Sequence, residues 1–135
     1  MKDPWEDQEP FSTDIPVIDE QHRMISDIIN LLSIAVKKNK SRENILKLLR
    51  GYMDYGNNHR AMEEEMMKKN GYPDLSRHAS DHRELKNNME NLYKRVSDDN
   101  LIISQEIGKC IKDWHDCHVE IQDRAMALFL KEKGL

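Results

Sequence analysis

Four stretches of this chain place apolar residues at alternating steps of four and three, with short polar breaks between them. That spacing makes one face of a helix apolar, so each stretch must bury a seam against other helices. The seam Ile18, His22, Ile25, Ile29, Leu32 and Val36 predicts a first helix over about residues 19–38. The segment KKNKS breaks the pattern. Ser41 then caps a second helix, over about 41–69, that carries Ile45, Leu48, Tyr52, Tyr55, His59, Met62 and Met66. Asn70 and Gly71 end it, and Pro73 and Asp74 open a third over about 74–96 with Leu75, His78, His82, Leu85, Met89, Leu92 and Val96. Ser97 to Asn100 supply a further break and cap. The last helix, over about 100–131, has Ile103, Ile107, Cys110, Trp114, His118, Ile121, Ala125 and Leu128 on its seam.

Short connections favour antiparallel neighbours, so the expected fold is all-α: an up-down-up-down antiparallel four-helix bundle with an irregular N-terminal arm over residues 1–17. Trp5, Phe11, Ile15 and Val17 give the arm apolar groups with which to dock. The 135 residues suit a single domain, and with helices and arm using the whole length, any signalling role is expected to need a separate partner. A net charge of −4 supplies no positive field for nucleic acid. No stretch has the length and apolarity of a membrane span, and MKDPWEDQEPF does not resemble a signal peptide, so the expected location is the cytoplasm without membrane insertion. Cys110 and Cys117 on one helix lie about 10.5 Å apart along its axis, too far for a disulfide.

Five of the six histidines fall on the seams, and all four helices contribute. A single imidazole on an apolar face is usually a satisfied core residue. Five aimed at one axis among aliphatic neighbours lack acceptors, and each would cost about 1–3 kcal/mol if buried unpaired. A transition metal satisfies them together. His59 with Glu63, and His78 with His82, are i, i+4 pairs on one helical face, which suits capture of a metal. Five nitrogens and a carboxylate exceed what one tetrahedral ion accepts, so two ions are implied. No histidine has a glutamate three residues before it, which disfavours the carboxylate-rich ferritin-like sites, and there is no H-E-x-x-H.

These residues resemble the hemerythrin family in its single-domain bacterial form, over nearly the whole chain. IDEQH, ending at His22, is similar to that family's first-helix ligand motif. His59 followed by Glu63, Glu64 and Met67 is similar to the second, and Tyr72-Pro73 followed by His78 and His82 to the third. WHDCHVEIQD, with His118 and Asp123, is similar to the last-helix pair. The resemblance implies an oxygen-binding protein, serving storage, delivery or sensing, with two iron ions bridged by an oxo or hydroxo group. His78, His82 and His118 would hold one iron and His22 and His59 the other, with Glu63 and Asp123 bridging. About eleven of roughly twelve coordination positions would then be filled, leaving one for dioxygen on the two-histidine iron.

Asp123 fits that set only if the helix departs from regularity. Five residues at about 100° carry it roughly 140° from His118, and a regular helix would favour Gln122. A π-type bulge between His118 and Asp123 is the expected remedy. Arg60 and His115 stand where the family usually has an aromatic residue and a leucine. Arg60 is expected to snorkel outward. His115 either reaches the oxygen pocket, with Trp114 nearby, or sits at the bundle boundary. A more polar pocket favours an alternative function, a di-iron oxidoreductase acting on peroxide or nitric oxide; a bundle with a redox-inert metal is a third. The methionines, including Met62, Met66 and Met67, read as core filling. Glu64 and Glu65 read as solvated acids, and Cys117 as no ligand because it points about 100° off the seam.

Overall fold

A computed structural model describes residues 12–98 and 102–135, which contain helices and no strand. The helices are α1 (Pro16–Lys37), α2 (Arg42–Lys69), α3 (Leu75–Asp98), α4 (Gln105–His118) and α5 (Arg124–Glu132). A π-helical turn, Val119–Asp123, joins α4 to α5, so the two form the fourth rod of a four-helix bundle. Helix α1 packs on α2 and α4, and α2 packs on α3.

The ends of the helices follow from local chemistry. Pro16 opens α1, inside the stretch expected to be irregular, because a first-turn residue has no intrahelical use for the N–H that proline lacks. Asp19 reaches back from α1 to accept hydrogen bonds from the Thr13 backbone N–H at 2.7 Å, the Thr13 hydroxyl at 2.7 Å and the Ser12 hydroxyl at 2.8 Å. This ties down the end of the arm. Ile15 docks as expected, whereas Val17 is 46% exposed; Trp5 and Phe11 lie outside the described residues. Asn39 takes a φ of 52° between α1 and α2, a conformation asparagine tolerates. Ser41 accepts from the Asn44 N–H at 3.2 Å and caps α2. The cap of α4 is Ser104, bonded to the Ile107 N–H, and not a residue of the 97–100 break. Ser97 and Asp98 extend α3, and residues 99 and 100 lie outside the described set.

The core has two apolar parts. The larger gathers Ile25, Ile29, Leu32, Leu49, Tyr52, Met89, Val96 and Ile111, and the smaller gathers Ile15, Ile18, Met67, Met126, Ala127 and Leu130. His22 follows Ile18 of one and precedes Ile25 of the other, so a polar layer divides them. On α2 the deepest line is Leu49, Gly56, Glu63 and Met67, with Leu48 and Met66 only half-buried. The largest departure follows the π turn. Ile121, Ala125 and Leu128 were expected inward, yet Ile121 is 61% and Leu128 62% exposed, while Asp123, Met126, Ala127 and Leu130 are buried. One extra residue in the turn rotates everything beyond it. Cys110 is likewise exposed, and Ile111 takes its place in the core.

Candidate metal centre

His22, His59, Glu63, His78, His82, His118 and Asp123 converge in the polar layer, all buried. Helix α1 contributes one, α2 two, α3 two, α4 one, and the π turn delivers Asp123. Regular bonding after His118 would have aimed Gln122 at the layer. The wider turn carries Asp123 round to it, in agreement with the expected bulge.

The donors form two overlapping groups, each able to hold one metal ion: Glu63, His78, His82, His118 and Asp123, and His22, His59, Glu63 and Asp123. Each carboxylate offers one oxygen to each group. Glu63 Oε1 lies 3.2 Å from His82 Nε2, and Oε2 lies 2.8 Å from His59 Nε2. Asp123 Oδ1 is 3.0 Å from His78 Nε2 and from His118 Nε2, and Oδ2 is 2.9 Å from His22 Nε2. These spacings are near the roughly 3 Å between adjacent ligands of one ion with bonds of about 2.1 Å.

Charge and proton positions ask for a cation here. Nine nitrogen and oxygen atoms of His22, His59, Glu63, His78 and Asp123 are buried without a hydrogen-bond partner. Burial pushes the Glu63 carboxyl up, but the surrounding imidazoles, His118 first, hold it well below the usual carboxylate range. Burial and Glu63 push Asp123 up, and His118 and His22 more than reverse them. Burial pulls His22 down, and the close negative charges of Asp123 and then Glu63 override it, raising the group to about 9. His118 is raised well above the imidazole range against burial, chiefly by Asp123. Protons on the imidazoles can therefore offset the two carboxylates, and a metal would compete for the same lone pairs.

Three further residues hold the imidazoles from outside. Nδ1 of His59 lies 2.6 Å from Gln21 Oε1, Nδ1 of His82 lies 2.9 Å from Glu64 Oε2, and Nδ1 of His118 lies 2.5 Å from Asp81 Oδ2. A carboxylate or amide oxygen only accepts, so each Nδ1 carries a proton, and in the neutral ring each Nε2 turns a lone pair inward. His82 and His118 then face each other, Nε2 to Nε2, at 3.0 Å. Two lone pairs at that distance repel unless a cation or proton lies between them. These outer partners escape sequence reading because each acts across helices. Glu64, expected to be solvated, is half-buried.

The three other candidates separate. Arg60 does not snorkel outward: it is buried, with one guanidinium nitrogen donating to Asn57 Oδ1 at 2.8 Å. Its guanidinium folds over Gly56, where a Cβ would lie 2.9 Å from it, so the missing side chain makes the room. It lines a groove of about 610 Å³ between α2 and α3. Trp114 is half-buried and lines a second groove, between α3 and α4, with Asp81 and His118. His115 is on the inner face, 8% exposed, with its ring centroid 6.2 Å from that of His22. Burial, then the neighbouring His22, lowers it to about 3, which keeps it neutral. It is not a boundary residue.

A helical bundle whose rods supply two carboxylate-linked histidine groups, each able to hold a metal ion, defines a class of helical cation-binding proteins. Residues 13–128 match the hemerythrin HHE cation binding domain, and the chain belongs to the hemerythrin family. It is 31% identical over 129 residues to a bacteriohemerythrin of Stenotrophomonas maltophilia, covering 91% of this chain and 78% of that one. It is 29% identical over 114 residues to the bacteriohemerythrin of Methylococcus capsulatus, covering 84% and 86%. A crystal structure of wild-type hemerythrin superimposes with a TM-score of 0.83 at 28% identity, covering 89% of this chain and 92% of that one.

Proposed function

We propose that this chain, as one domain in the cytoplasm, binds dioxygen reversibly at two iron ions linked by an oxo or hydroxo group. His78, His82 and His118 would hold one ion, His22 and His59 the other, and Glu63 and Asp123 would be shared between them. The observation that carries the reading is the division of each carboxylate, one oxygen toward each histidine group. The convergence of histidines and two carboxylates in one buried layer of a chain that belongs to this family supports the reading. When bound, the iron pair supplies the electrons and the site for dioxygen. The chain's own part is to fix the donors and keep the layer dry. Ile18, Met67 and Met126 close it on one side and Tyr52 and Ile111 lie in the core on the other, all at most 4% exposed. A dry site resists loss of the ligand to water and protons. The uneven split of imidazoles would leave the two-histidine position as the one with room for dioxygen.

The buried position of His115 beside His22 favours a second reading, an oxidoreductase acting on peroxide or nitric oxide. Metal analysis after purification without added metal, then repeated deoxygenation and reoxygenation under an optical probe, separates the two. Two irons and a reversible colour change support the carrier. One-way oxidation with peroxide consumption supports the oxidoreductase, and zinc overturns both. His115→Leu is expected to slow autoxidation several-fold; an unchanged rate removes His115 from the pocket.

A further inference from the structure

The outer partners of the five imidazoles differ in charge. His82 and His118, both of the three-histidine group, donate from Nδ1 to carboxylates, Glu64 at 2.9 Å and Asp81 at 2.5 Å. His59, of the two-histidine group, donates to the neutral amide oxygen of Gln21 at 2.6 Å. The Nδ1 atoms of His22 and His78 are buried with no partner. Glu63 and Asp123 belong to both groups, so their charge does not distinguish them. A carboxylate behind an imidazole draws its N–H proton outward and makes the opposite nitrogen a stronger donor, whereas an amide fixes the same tautomer without adding negative charge.

We propose that Glu64, Asp81 and Gln21 are positioning residues that set the two metal positions apart in affinity, so that the three-histidine position fills first and releases its ion last. The inference rests on the two-ion reading above and goes beyond it, because it assigns an order of loading to side chains that touch no metal. An extra imidazole already favours the three-histidine position. The outer carboxylates widen that gap, and the Gln21 amide keeps the other position the weaker one.

Anaerobic titration of the metal-free full chain with ferrous iron, followed by calorimetry and by Mössbauer spectra at one and two equivalents, tests this. Wild type is expected to bind in two resolved steps, with one iron signature dominant at one equivalent. Asp81→Asn and Glu64→Gln are each expected to weaken the first step about 10–100-fold. Asp81→Glu should restore part of what Asp81→Asn loses. Gln21→Glu should tighten the second step and bring the two together. Asp81 and Glu64 side chains are 34% and 38% exposed, so these isosteric variants do not disturb the core, and circular dichroism checks that they fold. Equal affinities in wild type overturn the proposal, as do steps unmoved by Asp81→Asn and Glu64→Gln, or a second step unmoved by Gln21→Glu. Fewer than two irons per chain overturns the two-ion reading, and this inference with it.

Discussion

Leu32, Leu49 and Ile111 of the apolar layer and Glu63 at the centre of the charged layer are all buried to 1% exposure or less. The two layers are stabilised on opposite terms. In the apolar layer each side chain removed from water contributes by itself, at about 25 cal/mol per Å². In the charged layer burial opposes every group, and only mutual pairing through protons or a cation offsets it. A bundle containing both is stable in one part under most conditions and in the other only when the site is satisfied.

The strongest test of that contrast is metal removal. Chelation from the loaded protein is expected to lower stability by about 4 kcal/mol or more, the linkage contribution of a ligand present at about a thousandfold or more above its dissociation constant, and thermal melts read it directly. Loss of less than 1 kcal/mol would mean that the charged layer stands without metal. Leu49→Ala, in the apolar layer, should cost about 2–5 kcal/mol. Its cost should be equal in the loaded and stripped proteins, and iron stoichiometry should not change; a difference between the two forms would show the layers to be coupled.

The stripped protein should also be sensitive to pH in a way the apolar layer cannot be. His22 is raised, so its contribution is fully present below the ordinary imidazole value near 6.5 and is lost as pH rises through about 9. Glu63 and Asp123 are lowered, so theirs is present above the ordinary carboxylate range near 4 and lost as pH falls. Buried His115, lowered to about 3, opposes folding as pH falls below 6.5, so the melting temperature of the stripped chain should peak near 6.5 and fall on either side; after Glu63→Leu the alkaline fall should shrink but persist, because Asp123 still faces His22. The smallest effect expected is at the arm. Asp19→Asn weakens the ties to Thr13 and Ser12 and should cost about 1 kcal/mol, with faster amide exchange near Thr13 and unchanged iron content.

The same contrast decides what the sequence discloses. The apolar layer is written redundantly, with many residues at helical spacing on each rod, so the bundle survives errors such as Leu48 for Leu49. His59 with Glu63 and His78 with His82 were equally legible because each pair lies within one regular helix. Asp123 was not: its place depends on a local widening that spacing alone argues against, and only family resemblance pointed to it. Gln21, Glu64 and Asp81 left no trace, since each meets a histidine on another helix. Arg60 misled because the room for its guanidinium comes from Gly56, a residue one turn back whose significance is its lack of a side chain.

The π turn changes how the last rod must be numbered by anyone who edits it. Residues before Val119 share one angular frame and residues after Asp123 share another, rotated by the inserted position. Counting from His118 would send Leu128 to the interior and spare Leu130. In the molecule Leu128 faces water and Leu130 is fully enclosed, so a label, tether or charge belongs at 128 and a packing probe at 130.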